Sequence, residues 1–214
     1  MKLIGLISIL FVLIFSSSHA SATKKSWNFD VYYDDKLIGE HTFELTKKEN
    51  LNYIEINASF NVKFFFINAY TYRHKNKEVW DDQCLESIQS FTEDNGDEFN
   101  VVGEKKENAF EISVNKSSNK LDSCIQTFSY WEKDILTRNN LLNSQTGEIE
   151  KIETVNLGRE LITSKNQQIM AEHFRLISDK FSIELWYSEQ GEWLALRSTT
   201  EDGNVLTYKL KRSI

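Results

Sequence analysis

Apolar and polar residues alternate at every second position through nearly the whole chain, as in Trp27, Phe29, Val31 and Tyr33, then Phe110, Ile112 and Val114, then Phe181, Ile183, Leu185 and Tyr187. A period of two sends neighbouring side chains to opposite faces of an extended strand, whereas an amphipathic helix repeats every three to four residues. Turn-forming clusters separate the runs: Asp34-Asp35-Lys36, Lys47 to Asn50, Asp94-Asn95-Gly96-Asp97, Gln145-Thr146-Gly147, Glu189-Gln190-Gly191 and Glu201-Asp202-Gly203-Asn204. Loops this short join antiparallel neighbours. The chain has no proline, so no strand is cut by a residue that cannot donate to a ladder. The expected fold is all-β and mainly antiparallel, a single meandering sheet of about ten to twelve strands. A sheet of that size curls, which makes a half-barrel or β-clam with at most one or two short helices. Lys133 to Asn143 is where a short helix or a structured crossover loop is expected, with Ile135, Leu136, Leu141 and Leu142 as its apolar residues.

The segment 1-MKLIGLISILFVLIFSSSHASA-22 has the layout of an export signal. Lys2 is the positive start, Leu3 to Phe15 the apolar stretch, and Ala20-Ser21-Ala22 a small-x-small site, so cleavage is expected near Ala22. The apolar stretch is shorter than the roughly 20 residues that a membrane-spanning helix needs, and no cysteine follows it to carry a lipid anchor. The expected organisation is a signal peptide over 1–22 and one antiparallel β domain over 23–214. The expected location is the periplasm, with no stable membrane span after cleavage.

Removing Lys2 with the signal takes the formal charge from −7 to −8, and no cluster of four or more Lys or Arg interrupts the rest of the chain. Nucleic acid and anionic membrane surfaces are bound through dense cationic patches, so neither is an expected partner. Cys84 and Cys124 are the two cysteines, and an oxidising compartment lets them pair. A disulfide closing that loop would stabilise the fold by about 4 kcal/mol on the chain-entropy argument. The rival reading is two free buried thiols.

No catalytic residue, metal site or cofactor is expected. His41, His74 and His173 lie thirty or more residues apart and outside any metal-binding spacing, and they read as surface or core-edge residues. Glu40-His41 and Glu172-His173 are adjacent pairs whose members point to opposite faces of a strand. No G-x-S-x-G elbow occurs, and 93-EDNGDE-98 lacks the ligand spacing of a calcium loop. If the chain were an enzyme acting on lipid or glycan, Glu189, Glu192, His74 and Asp81 would be the residues to test, because carboxylates beside aromatic rings suit such chemistry.

Aromatic residues are the one strong compositional feature. In 60-FNVKFFFINAYTYRHKNKEVW-80 the alternation puts Phe60, Val62, Phe64 and Phe66 on one face and Lys63, Phe65 and Ile67 on the other. Tyr130-Trp131 and Trp186-Tyr187 likewise place one ring on each side of the sheet. Large apolar groups on both faces require both faces to be covered, by protein, ligand or partner. The candidate lining of a ligand site is Phe64, Phe66, Tyr70, Tyr72, Tyr130, Trp131, Trp186 and Trp193.

The blocks 37-LIGEHTFEL-45, 128-FSYWEKDIL-136, 141-LLNSQTGE-148 and 185-LWYSEQGEWLALRS-198 resemble those of a family of exported bacterial proteins, the domain of unknown function 6134. The opening hairpin also looks like that of periplasmic clam-like β proteins, distantly similar to half-barrels that shuttle lipids and lipoproteins. That resemblance implies a fold and no catalytic residue. The resulting expectation is an exported, non-enzymatic protein that holds a hydrophobic or amphipathic small molecule, such as a lipid, in the concavity of a curved sheet. The alternatives are an envelope assembly protein whose aromatic surface is covered by a protein partner, or a lipid- or glycan-acting hydrolase.

Overall fold

The computed structural model describes residues 22–64, 67–201 and 203–211, and the side-chain surroundings of all these except 63, 64, 67 and 68. The N-terminal segment through Ser21, and Phe65 and Phe66, lie outside the described residues. One antiparallel sheet of thirteen strands dominates the chain. Its first half comprises β1 (Thr23–Tyr33), β2 (Lys36–Lys48), β3 (Leu51–Phe64), β4 (Ile67–Asp81), β5 (Cys84–Asp94), β6 (Asp97–Lys105), β7 (Phe110–Val114) and β8 (Ser117–Leu121). A crossover then carries a 3-10 turn, Lys133–Thr137, and a small separate hairpin of β9 (Asn140–Leu142) and β10 (Ile149–Lys151). The second half is β11 (Glu153–Ser164), β12 (Gln167–Ile177), β13 (Phe181–Tyr187), β14 (Trp193–Thr200) and β15 (Val205–Leu210).

The strand order runs β11 to β15, then β1 to β8. Every neighbour is therefore a hairpin partner except β15, the last strand, which pairs with β1, the first. The sheet remains open, with β11 and β8 as its edges. Its thirteen strands exceed the expected count because some turns carry no glycine or proline. Asn115-Lys116 and Lys165-Asn166 turn the chain in two residues at positive φ, so β7–β8 and β11–β12 are tighter hairpins than their sequences announce. The segment Lys133–Thr137 is a single 3-10 turn inside a structured crossover, as expected.

Register assembles the core in rows across the sheet. Trp27, Phe43, Ile56, Asn76, Ser90 and Val101 are cross-strand neighbours, and so are Leu45, Ile54, Glu78, Ile88 and Gly103 in the next row. Gly103 is required there, since a Cβ would sit 2.3 Å from the Phe110 ring. The crossover fills one half of the concavity with buried Trp131, Ile135, Leu141 and Leu142. Trp131 packs edge-on against Trp80 at 6.0 Å, and Trp193 stands 4.5 Å from Phe29. Burying such rings is the main favourable term in the fold.

Several polar links hold the crossover down. Cys84 and Cys124 form a disulfide. Beside it, Leu85 N–H donates to the Ile125 carbonyl at 3.0 Å, and Tyr187 Oη donates to the Tyr130 carbonyl at 2.9 Å. Thr127 pairs with Leu142 in an isolated parallel bridge, so the two arms of the crossover are also joined to each other.

The convex face has its own cover. Trp186 points away from the concavity and is buried with Ala171 and Leu194 beneath Ile162 and Ile169 of the β11–β12 hairpin. A bulge between Asn156 and Gly158, with Gly158 at φ +95°, bends this hairpin. On the same face Arg175, Glu184 and Arg197 are cross-strand neighbours. Both guanidinium groups bond the buried Glu184 carboxylate, Arg175 at 2.5 Å, and hold its pKa below the usual carboxylate range against the opposing effect of burial.

Candidate functional site

The crossover leaves the other half of the concavity unfilled. A cavity of about 580 Å³ lies there, between the inner sheet face and the crossover residues Phe128, Tyr130 and Asn143 to Gln145. Its wall includes Tyr33, Ile38, Val62, Tyr70, Thr200 and Asn204, which stand near the ends of β1, β2, β3, β4, β14 and β15 at one rim of the sheet. Such a volume falls within the range of about 300–1,000 Å³ typical of pockets for one small ligand.

Two inner-face rows build the floor. The first runs Leu196, Tyr208, Val31, Gly39, Phe60, Tyr72 and Asp94. The second runs Phe29, His41, Ala58, His74 and Thr92. Their placement depends on a bulge in β2: Val31 pairs with Gly39 and Tyr32 with Leu37, so Ile38 is the extra residue and also turns inward to the wall. Only glycine fits at Gly39, where a Cβ would lie 1.9 Å from the Ser59 carbonyl oxygen.

The floor is aromatic. Phe60 and Tyr72 stack at 5.0 Å with planes 12° apart, and His41 stacks on Phe43 at 4.3 Å. Burial raises the pKa of the Tyr72, Tyr130 and Tyr208 hydroxyls above the ordinary tyrosine value. Tyr70 is raised likewise, first by burial and then by its hydrogen bond to Asp94. These tyrosines remain neutral hydrogen-bonding groups at any physiological pH. Lys180 at the rim is engaged by Glu148 at 2.6 Å and Glu150 at 3.1 Å.

Both histidines of the floor are uncharged at neutral pH. Burial lowers the His74 pKa to about 4, and its Nδ1 lies 2.9 Å from Thr92 Oγ1. Burial, then the neighbouring His74, holds His41 well below the ordinary histidine value. Among the described residues neither ring nitrogen of His41 has a hydrogen-bond partner. Surface or core-edge positions were the expectation for the histidines; His41, partly exposed in the cavity wall, fits a core-edge position, whereas His74, buried beside the small Ala58, lies in the interior.

The six expected lining residues whose side chains are described separate into three groups. Tyr70, Tyr72 and Tyr130 form part of the cavity wall. Trp131 and Trp193 face the concavity but are packed in its filled half, at 7% and 1% exposure. Trp186 is on the convex side, where it lines a second hollow with Ile162, Leu194 and Arg197. The side chain of Phe64, and all of Phe66, lie outside the described residues. The lining also includes His41, Phe60, Phe128 and Tyr208. Their inward alternation was legible, but their convergence depends on register.

The four residues to test under an enzyme reading do not converge. Glu192 pairs with Lys25 at 2.6 Å and Glu189 lies 3.9 Å from Arg159, in the turn at the opposite rim. Asp81 is exposed at the end of β4, whereas His74 is buried in the cavity floor. Among the described residues no three His, Cys, Asp or Glu side chains are grouped to hold a metal ion. No helix among them is long and apolar enough to cross a membrane.

A family described as a domain of unknown function, DUF6134, matches over residues 29–211. No curated protein matches the sequence. Among solved structures, the chain is similar to a beta-barrel-like protein of the domain of unknown function DUF1849 from Brucella abortus. The TM-score is 0.64 at 9% identity, covering 87% of this chain and 95% of that one. At that identity the likeness concerns the fold alone.

Proposed function

The chain belongs to the domain of unknown function 6134 family, and on that premise we propose that it is an exported periplasmic protein that binds a hydrophobic or amphipathic small molecule in the concavity of its sheet. The observation that carries this reading is the aromatic cavity of about 580 Å³ between sheet and crossover. A chain able to close its crossover over Trp131 and Ile135 leaves the other half open, although unfilled apolar space costs stability. Export is supported by the layout of 1–22 and by the disulfide, since disulfides persist in oxidising compartments.

The test is titration with the fluorescent apolar probe N-phenyl-1-naphthylamine, together with native mass spectrometry of gently desalted protein. Saturable one-to-one binding of the probe is expected. Absence of both probe binding and any co-purifying mass would remove the reading. Fractionation of cells checks location, with the periplasmic fraction expected to hold the protein.

A second reading, an envelope interaction protein, draws on one observation. Leu161 and Met170 are cross-strand neighbours, 59% and 53% exposed on the β11–β12 hairpin. Crosslinking from either position in cells would then capture one stoichiometric partner, and loss of both side chains would abolish the capture.

A further inference from the structure

We propose that His41 and His74 form a subsite for the head group of an uncharged, single-chain amphiphile that both donates and accepts hydrogen bonds, such as a monoacylglycerol. This rests on the ligand-binding reading above and names the chemistry of its ligand.

The first support is register. His41 and His74 are each directly opposite Ala58 on the strand between them, so only a methyl group separates two imidazoles on one face. His74 uses Nδ1 toward Thr92, which leaves Nε2 for another partner. His41 is packed by Phe43, Phe60 and Tyr208, with ring centroids at 4.3, 6.2 and 5.7 Å.

The second support is the unmet hydrogen bonding of His41. Buried polar groups in native proteins are almost always paired, and each orphan is costly. A neutral imidazole carries one donor and one acceptor, and among the described residues neither nitrogen of His41, both closed off from solvent, has a partner. The residue keeps partial exposure in a cavity wall, and a half-turn about Cβ–Cγ exchanges each nitrogen with a ring carbon. A head group with two hydroxyls supplies what the ring lacks, one accepting from its N–H and the other donating to its bare nitrogen. Ring carbons alone would have been matched by a phenylalanine.

The third support is charge. Among the described lining residues Asp94 is the one carboxylate and Lys180 the one ammonium group. Asp94 holds the Tyr70 hydroxyl, and Lys180 is already bound by two glutamates. Among the described lining residues no free cation stands ready for a carboxylate or phosphate head, and burial keeps the histidines neutral. Burying an unpaired charge there would be costly, so an uncharged head fits. Around it Phe60, Val62, Phe128, Phe181 and Leu206 offer an apolar channel toward the rim for one chain.

The test measures binding of 1-monooleoylglycerol, oleate and N-phenyl-1-naphthylamine to the protein and to its His41→Leu and His74→Leu variants near neutral pH. The monoacylglycerol is expected to bind the unaltered protein at least about tenfold more tightly than oleate, and His41→Leu to lose about tenfold or more of that affinity. The naphthylamine, which has no such head, keeps its affinity within about twofold. If His41→Leu leaves monoacylglycerol binding unchanged, or if oleate binds more tightly, the subsite is overturned while the cavity reading stands. If neither the naphthylamine nor the monoacylglycerol binds the unaltered protein, both fall. Should His41→Leu fail to fold, the ¹⁵N shifts of His41 in the unaltered protein answer the same question. Saturating monooleoylglycerol is expected to move them, and unmoved shifts at saturation overturn the subsite.

Discussion

Thr127 Oγ1 donates a hydrogen bond to Glu78 Oε2 at 3.1 Å, fastening the crossover to the inner face of β4. The same carboxyl accepts from Asn76 Nδ2 at 2.7 Å and Trp80 Nε1 at 2.9 Å. These three donors favour the ionised form, yet burial outweighs them and pushes the Glu78 pKa up to about 7.

Glu78 therefore makes stability depend on pH. Its folded pKa of about 7 exceeds the ordinary 4.5, so its contribution is complete below pH 4.5 and lost as pH rises through 7, amounting to about 3 kcal/mol. His74 acts in the opposite sense. Its pKa falls from 6.5 to about 4, so its contribution is present above pH 6.5 and lost as pH falls toward 4. Glu78→Gln is expected to remove the alkaline loss and expose the acid one, and denaturant melts from pH 4 to 8 measure it. Parallel pH profiles for variant and parent would refute this role.

Reduction of Cys84–Cys124 is expected to cost about 4 kcal/mol, since the bond closes a loop of 40 residues in sequence. Chemical denaturation with and without reductant reads the loss. Hydrogen exchange is expected to quicken first at Leu85, whose N–H bonds Ile125 beside the disulfide. Uniform quickening across the sheet would argue against a local role for the bond.

Gly39→Ala is expected to destabilise by roughly 1–3 kcal/mol or more, because backbone must shift to admit the Cβ. The same shift moves Ile38 and His41, so affinity for the apolar probe is expected to fall as well. Thermal melting and probe titration on one sample separate the two effects.

Filling the cavity distinguishes a binding site from inert space. Ser198 lines its wall, and Ser198→Phe is expected to raise the melting temperature while reducing probe affinity about tenfold. A variant that binds the probe as well as the parent would place the bound probe elsewhere.

Much of this was legible in the residues. Alternation marked the strands and showed that Trp186 and Tyr187 face opposite ways, and the recurring turn clusters implied hairpins between sequence neighbours. Alternation has no sign, however. It says that two side chains are on opposite faces without saying which face is concave, so Trp186 stood among the expected lining residues although it lies on the convex side. Chemistry set His41 and His74 apart as too distant in sequence to act together, which holds for local spacing and fails for rows across strands.

Sequence by itself determined most of the strands and their pairing by short turns, because period and turn chemistry are local properties, whereas it left Cys84 and Cys124 open between a disulfide and two free thiols until the structure joined them. Only the tertiary structure decided that His41, Ala58 and His74 share a row, that Trp131 and Trp193 lie in the filled half, and that Trp186 is capped on the convex side. Those outcomes follow from bulges at Ile38 and near Gly158 and from the path of the crossover. A bulge of one residue changes the facing of everything beyond it, and the neighbours that make it stable lie far away in the chain.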